Sequence, residues 1–137
     1  METGNHSQVR QPAVAGMFYP GNPSELAHEV RALLHATASQ TLRGDAPKAI
    51  VAPHAGYIYS GPTAACVYAC IAPAARRIRR VVLLGPTHRV AVDGLALPAA
   101  THFATPLGDI EIDRDAANLL ADMPQVGVSD LPHRQEH

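Results

Sequence analysis

Apolar residues recur at helical spacing in one early segment of the chain. Asn22–Glu25 has the features of a helix start, because its asparagine can cap the first turn, its proline suits the first helical position and its glutamate can reach back to the cap. The leucine and valine side chains of the next segment, from Leu26 to Leu34, then fall on one stripe. The pattern predicts an amphipathic helix that extends to about Ala38 and packs on a sheet.

Two short apolar runs predict buried strands on either side of a second helix. Lys48–Ala52 stops at a proline, which keeps the residue before it extended, and Arg80–Leu84 is rich in valine and leucine. Between them, Ser60–Pro62 opens a predicted helix that continues through Thr63–Ile71 and ends at the proline that follows. This order of elements is that of a β-α-β unit, in which the two strands are parallel.

The last third of the chain predicts a hairpin, a helix and an unstructured end. Val92–Leu97 alternates weakly, and turn residues at Thr105–Asp109 precede Ile110–Ile112, which alternates as a half-exposed strand does. Asp113 can cap a final helix that runs to about residue 123, where a proline follows. We expect Leu131–His137 to lie outside any helix or strand, so that the chain stops in the middle of a motif.

These elements predict an α/β fold with a mostly parallel or mixed central sheet flanked by helices. We expect a flexible tail at residues 1–9 and one domain at residues 10–137, since 137 residues with 47% hydrophobic side chains can form a core. The net charge of -1 and the interspersed acids and bases argue against a nucleic-acid or anionic-membrane partner. Neither a secretory leader nor an apolar run of ~18 residues is seen, so we expect a cytoplasmic protein.

Two other groups of residues carry no functional prediction. Cys66 and Cys70 are four positions apart on the predicted second helix and share a face, but we interpret them as small apolar residues in a reducing compartment. The four arginines between positions 76 and 80 are interpreted as a solvated entry to the second strand.

The strongest chemical signal is a pair of histidines, each of which follows a predicted strand. His54 comes after the first apolar run and His88 after the second, so both are expected at one edge of the sheet. From neighbouring strands ~5 Å apart, two imidazoles can reach one metal ion at ~2.1 Å each. By spacing alone, a structural histidine is the commoner alternative. Tyr57, which follows His54 closely, is either a proton carrier or an amphipathic tyrosine at a sheet edge.

Four motifs then occur in order along the chain and carry a family resemblance. They are Gln11–Pro20, Pro53–Gly61, Leu84–Arg89 and Thr105–Asp109. Together they resemble the Memo family, also called the AmmeMemoRadiSam system protein B family. The resemblance runs from about residue 10 to the last residue and implies that residues 10–137 are the N-terminal portion of a Memo-like α/β domain. Four ordered motifs in a strand and turn context are far more specific than any one of them.

The resemblance implies a fold similar to that of class III extradiol dioxygenases, which use non-haem iron. It also implies that His54 and His88 are metal ligands and that a third ligand, a cysteine, comes from the later half of a longer chain. Neither cysteine of this sequence matches that position. The terminal His133–His137 resembles the start of a further motif that places His137 near the metal pocket, and this sequence ends at that histidine.

Two functions from different classes follow from the resemblance. The first is a metal-dependent redox protein, dioxygenase-like, in which iron or copper is bound through His54 and His88, with Tyr57 and His137 as catalytic candidates. A radical S-adenosylmethionine protein is then expected as a pathway partner, and the truncated chain is expected to be a poor enzyme. The alternative is a non-catalytic module that binds a peptide or small ligand in the same cleft.

Overall fold

The computed structural model describes residues 9–37 and 46–137 and divides into two compact units. The first, which we call the terminal unit, combines the chain up to Ala13 with Leu83–His137; the second, the helical unit, is Val14–Val82. The predicted tail lies outside the described residues except for its last position, Val9. Within the described ranges, no helix combines the length and apolar character that crossing a membrane requires.

The helical unit begins with α1, Pro23–Thr37, as the sequence predicts. The side-chain oxygen of Asn22 accepts hydrogen bonds from the backbone N–H groups of Ser24 at 2.9 Å and Glu25 at 3.1 Å. These bonds satisfy donors that the first helical turn leaves without intrahelical partners. The predicted cap is therefore confirmed, and Leu26, the first residue of the apolar stripe, is buried.

The second helix, α2, spans Tyr57–Ala69 and begins earlier than the sequence predicts. The carbonyl of Gly56 accepts the N–H groups of Tyr59 and Ser60, so the helix is already formed before Pro62, which lies inside it. The prediction placed the start at the proline because that residue suits a first turn. A 3-10 turn, Ala72–Ala74, follows α2, close to the predicted end.

A glycine sets the distance between the two helices. A Cβ atom at Gly61 would lie 3.1 Å from Cδ1 of Leu33, which is tighter than an ordinary contact. Small buried residues, Ala65 and Ala69, continue this face of α2. The helices therefore pack closely where Leu33 of α1 meets Gly61 of α2.

The two strands predicted on either side of α2 are not present in the structure. Residues 49–54 and 78–87 belong to no helix or strand, and neither segment joins a sheet in the described part of the chain. Val51 is 94% exposed, and the four residues Val81–Leu84 are between 74% and 82% exposed. The predicted β-α-β unit is therefore wrong for this chain. A strand needs a hydrogen-bonded strand beside it, and neither sheet of the described residues includes either run.

The terminal unit contains a three-stranded mixed sheet in the order β1-β3-β4. Strand β1, Val9–Arg10, is parallel to β3, His102–Thr105, and β3 is antiparallel to β4, Gly108–Glu111. The predicted turn before β4 is confirmed, and Gly108 adopts a φ of 127° that favours glycine. The hairpin partner is β3 rather than the predicted Val92–Leu97.

A second sheet of two parallel strands pairs β2, Leu95–Leu97, with β5, Val126–Val128. Between them lies α3, Arg114–Ala121, whose first turn is capped by Asp113 through a 3.0 Å hydrogen bond from the N–H of Ala116. The predicted cap is confirmed, although α3 ends before residue 123. The α/β class is likewise confirmed, since helices and small parallel and mixed sheets make up the fold.

The end of the chain is a helix, which the sequence did not predict. Helix α4 spans Asp130–Gln135. The carboxylate of Asp130 accepts hydrogen bonds from the N–H groups of Ala99 at 2.8 Å and Ala100 at 3.3 Å, which fixes α4 beside β2. The expectation of an unstructured terminus was wrong because these contacts join residues about thirty positions apart, which periodicity does not detect.

Candidate metal centre

Two histidine rings of the terminal unit stack on each other. The imidazoles of His88 and His137 are nearly parallel, with 4.9 Å between the ring centroids and 4° between the ring planes. Each offers one ring nitrogen as a ligand, and these two nitrogens lie within 4.8 Å of each other. Both side chains are exposed, so a ligand in solvent has access to them. Two of the predicted site residues are therefore brought together.

Arg10 of β1 hydrogen-bonds to the end of α4, the helix that precedes His137. Its guanidinium donates hydrogen bonds to the backbone carbonyl of His133 at 2.5 Å and to that of Glu136 at 2.6 Å. The same guanidinium lies over the ring of Phe103 in β3, 5.0 Å from the ring centroid. Because the last carbonyls of a helix have no intrahelical donors, a fixed cation is well placed to satisfy them.

Glu136 connects the end of α4 to the loop that carries His88. Its Oε1 accepts hydrogen bonds from the backbone N–H of Arg89 at 2.6 Å and of Val90 at 2.9 Å. The side chain is buried, with 8% of its surface exposed, although both neighbouring histidines are exposed. One carboxylate thus holds the backbone next to His88 and directly precedes His137.

The environment of Glu136 favours the charged carboxylate. Burial by itself raises the pKa of this group, but hydrogen bonds from the backbone N–H groups of Arg89, His88 and Val90, together with the charge of His88, lower it by more. The pKa of Glu136 therefore lies below its usual value. Its second oxygen, Oε2, is buried and has no hydrogen-bond partner among the described residues.

His133, the first histidine of the terminal motif, is a structural residue. Its Nε2 lies 3.0 Å from the carbonyl oxygen of Ala96 in β2, and its ring is 5.7 Å from that of Phe103. The imidazole is thus engaged with both sheets of the terminal unit. This contact orients α4, and with it the residues that follow.

His54 lies in the helical unit, on the turn before α2. The N–H of Tyr57 donates to the carbonyl of Phe18 at 2.7 Å, and the hydroxyl of Ser60 donates to the carbonyl of Ala55 at 2.7 Å. These bonds fix the residues that follow His54, while its own side chain is exposed. Phe18 belongs to the first family-like motif, Gln11–Pro20, so the first two motifs meet at this turn.

Tyr57, predicted as a catalytic residue, is half-buried at the start of α2. Its ring centroid lies 5.7 Å from that of Tyr19. Burial, and then the neighbouring Tyr19 and Glu29, raise the pKa of its phenol above the usual 10.0. The phenol is therefore protonated at neutral pH and is a hydrogen-bond donor. Its catalytic role stays a prediction. Tyr59, in contrast, is 82% exposed.

Three exposed histidines are candidate metal ligands. In the terminal unit they are His88 and His137, and in the helical unit His54; each offers one ring nitrogen, and the nitrogens of His88 and His137 lie within 4.8 Å of each other. Neutral imidazole is a common ligand of iron, copper and zinc, whereas carboxylate oxygen suits magnesium and calcium. The composition of the group therefore favours a transition metal. Sequence reasoning expected a ligand outside this chain besides His54 and His88, and His137 offers a ring nitrogen beside His88 within it.

Arg10 and Glu136 were missed by sequence reasoning. Their backbone and side-chain contacts join positions separated by 126 and 47 residues, so no local pattern indicates them. The only available signal for Glu136 was its place directly before His137 in the terminal motif. No comparable signal pointed to Arg10.

Comparison with known proteins decides the family. The family described as Memo-like protein matches residues 10–137. The chain belongs to the Memo family. It is 40% identical over 129 residues to a MEMO1 family protein of Methanosarcina barkeri, covering 94% of this chain and 45% of that protein. A MEMO1 family protein of Aquifex aeolicus is 37% identical over 133 residues, covering 95% of this chain and 46% of the relative.

A third relative is matched over similar shares of the two chains. The MEMO1 family protein of Nitrosopumilus maritimus is 31% identical over 133 residues, with 94% of this chain and 48% of the relative covered. The chain therefore spans about half the length of the curated Memo relatives that it matches. The resemblance drawn from the four sequence motifs is confirmed at the level of the family.

Proposed function

We propose that this Memo-family chain binds iron or copper through His88 and His137, with His54 as the further ligand that the family resemblance implies, and that the metal serves dioxygenase-like redox chemistry. The observation that carries the proposal is the parallel pair of exposed imidazoles, whose ligand nitrogens lie within 4.8 Å of each other. Two nitrogens bound to one ion at ~2.1 Å each are at most ~4.2 Å apart. The limit of 4.8 Å is close to this span, and the two rings would have to turn from their parallel arrangement so that both nitrogens point at one ion.

The donor set suits a redox metal. Imidazole nitrogen binds iron, copper, zinc and nickel, and among divalent ions copper binds most tightly to a given set of nitrogen ligands. Three protein ligands leave coordination positions open, as catalytic metal sites require. A bound iron or copper ion would supply electron transfer and activation of oxygen or of a phenolic substrate.

The residues around the histidines have two tasks in this proposal. Glu136 and Arg10 hold the segments that carry His88 and His137 in place, which supports the orientation of the ligand rings. Tyr57, whose raised pKa keeps the phenol protonated, would donate a hydrogen bond or a proton to a substrate. A radical S-adenosylmethionine protein of the same pathway is part of this proposal.

The experiment that tests the proposal is metal retention. The purified chain is loaded with Cu²⁺ or, without oxygen, with Fe²⁺, desalted and analysed for bound metal. We expect one ion per chain in the wild type and at least a ~10-fold loss of affinity in each of the three variants His54→Ala, His88→Ala and His137→Ala. His35→Ala removes an exposed histidine from α1 and is the matched control.

The outcomes separate the proposal from its alternative. Metal retention that is unchanged by the three substitutions, or no retention in the wild type, contradicts a metal centre at these histidines. In that case the alternative, a non-catalytic module for a peptide or small ligand, becomes the better hypothesis. Retention that is lost with His54→Ala but not with His137→Ala would limit the site to the two histidines of the family motifs.

A further inference from the structure

The two cysteines of the chain lie four positions apart at the end of α2. Cys66 is inside the helix and Cys70 is its C-terminal cap residue, and both are half-buried thiols. The thiol of Cys70 donates a hydrogen bond to the backbone carbonyl of Cys66, with 3.3 Å between sulfur and oxygen. The side chain of Cys70 is thus directed back along the helix, over the turn that begins at Cys66.

The packing of α2 on α1 does not account for the position of these cysteines. The buried face of α2 includes Gly61, Ala65 and Ala69, which recur at every fourth position. Each cysteine directly follows one of these alanines and so lies about 100° further around the helix, at the margin of the buried face. Cysteine is among the most deeply buried residue types, yet both cysteines here are partly exposed. An ion in solution therefore has access to them.

An intact helix keeps the two cysteines from forming a disulfide. Side chains four positions apart on a helix have Cβ atoms about 5–6 Å apart. A disulfide needs a Cβ separation of about 3.5–4.5 Å, which this spacing does not reach. Two sulfur atoms bound to one ion at ~2.3 Å each are at most ~4.6 Å apart, and rotation about the Cα–Cβ bonds can bring the sulfur atoms to that separation. The spacing therefore suits an ion between two thiolates better than a bond between them.

The number and softness of the ligands select the kind of ion. Among the residues that the structure describes, no histidine or carboxylate joins the two cysteines in a group of three possible ligands. Zinc in structural sites takes four protein ligands, which two thiolates do not supply. Thiolate is a soft ligand that selects Cu(I), and Cu(I) is stable with two sulfur ligands on opposite sides of the ion. We propose that Cys66 and Cys70 bind one Cu(I) ion through both thiolates, at a site that shares no residue with the candidate metal centre.

The test is a titration of the reduced chain with Cu(I), without oxygen and in competition with a coloured Cu(I) chelator. The triple variant His54→Ala/His88→Ala/His137→Ala is titrated alongside, so that binding at the histidines is identified. In both proteins we expect one bound ion per chain that protects both thiols from a thiol reagent. Cys66→Ser and Cys70→Ser should each weaken the binding of this ion at least ~100-fold, because even the loss of a residue that only supports a ligand costs about 10- to 100-fold.

Two control variants separate a site from unspecific binding to thiols. Ala64→Ser places a hydroxyl at another half-buried position of α2 and should bind Cu(I) like the wild type. Cys66→Ser/Tyr68→Cys keeps two thiols but places them two positions apart, where helical side chains do not face each other. This variant should bind as weakly as Cys66→Ser alone. Circular dichroism measures whether each variant keeps the helix content of the wild type.

Three results would overturn the proposal. The first is a wild-type affinity in Cys66→Ser/Tyr68→Cys, which would show that the spacing of the thiols has no role. The second is the absence of a thiol-protecting ion in the wild type or in the triple histidine variant. The third is a dimer of two chains that forms with Cu(I) in size-exclusion chromatography, because each chain would then supply one thiolate only.

Discussion

The guanidinium of Arg10 donates a 2.6 Å hydrogen bond to the carbonyl of Glu136, a residue that is 126 positions later in the chain. The carboxylate of Glu136 in turn accepts the N–H groups of Arg89 and Val90. A strand near the start of the chain, the helix at its end and the loop after Leu84 are thus joined at one point. This point lies directly beside the stacked rings of His88 and His137.

We predict that Arg10→Lys destabilises the fold. Lysine keeps the charge but lacks the planar fork that reaches two carbonyls and covers the Phe103 ring. The expected decrease in the free energy of unfolding is about 1–3 kcal/mol, since hydrogen bonds to charged groups are lost. Chemical denaturation of the metal-free protein measures it.

The control for this prediction is Arg114→Lys. Arg114 donates only long hydrogen bonds, 3.4 Å each, to the carbonyls of Pro98 and Ala99, and its side chain is exposed. We expect a change within about 0.5 kcal/mol, as for most surface substitutions. Equal effects of the two substitutions would mean that the fork of Arg10 has no special role.

Glu136→Ala is predicted to weaken metal binding. The substitution leaves the N–H groups of Arg89 and Val90 without their acceptor, so the loop beside His88 loses its fixed position. Loss of a group that orients a metal ligand typically costs about 10- to 100-fold in affinity. A Cu²⁺ titration monitored by the visible absorption of the bound ion measures both the affinity and the geometry of the site.

The matched control is Asp130→Ala on the same helix. Asp130 also accepts two consecutive backbone N–H groups, those of Ala99 and Ala100, but in a loop without candidate ligands. We expect Asp130→Ala to lower thermal stability while the spectrum of the bound ion stays that of the wild type. A wild-type affinity in Glu136→Ala would show that the carboxylate does not position the ligands.

Local sequence signals predicted the features that depend on neighbouring residues. Asn22 and Asp113 cap helices as predicted, because a cap bonds to groups two or three residues away. The turn before Gly108 was predictable for the same reason, since its residues set the backbone angles. The family and its histidine motifs were likewise accessible from the sequence.

Features that depend on distant partners were not predictable. The runs Lys48–Ala52 and Arg80–Leu84 have the composition of strands but belong to neither sheet of the described residues. Composition alone therefore gave a wrong prediction of two strands. Helix α4 is fixed by Asp130 and His133, whose partners lie 30 or more positions away. Glu136 was not predicted either, because its partners Arg89 and Val90 lie 46 or more positions away in the sequence, although it links the segments that carry the two stacked histidines.

The raised pKa of Tyr57 predicts a loss of stability at alkaline pH. As the pH rises, the unfolded state loses this phenolic proton near pH 10.0, before the folded state does. The free energy of unfolding is therefore unaffected below that pH and falls as the pH rises towards the higher folded-state pKa. Tyr57→Phe should remove this part of the decrease, as measured by urea denaturation at several alkaline pH values.

Tyr59→Phe is the control for the alkaline prediction. This residue is two positions away on α2 but 82% exposed, so its loss should leave the pH dependence of the wild type in place. A fall in stability that persists unchanged in Tyr57→Phe would assign the effect to another group. If Tyr57 also acts on a substrate, Tyr57→Phe lowers turnover at neutral pH without a change in metal affinity.

Gly94→Ala is predicted to disrupt the smaller sheet. Gly94 has a φ of 85°, and a Cβ atom there would lie 2.2 Å from the carbonyl oxygen of Gln125, which accepts the N–H of Leu95. Backbone strain and this clash together should cost about 2–4 kcal/mol of unfolding free energy. Because β2 also contacts His133 through Ala96, we expect α4 and the terminal His137 to loosen with it.

The comparison for Gly94→Ala is Gly127→Ala in the partner strand β5. No atom lies within 4 Å of a Cβ at Gly127, so alanine fits there, and the expected change is within about 0.5 kcal/mol. Thermal unfolding ranks the two variants, and metal retention then reports the effect on the histidines. A Gly94→Ala protein as stable as Gly127→Ala would mean that the β2–β5 sheet contributes little to the fold.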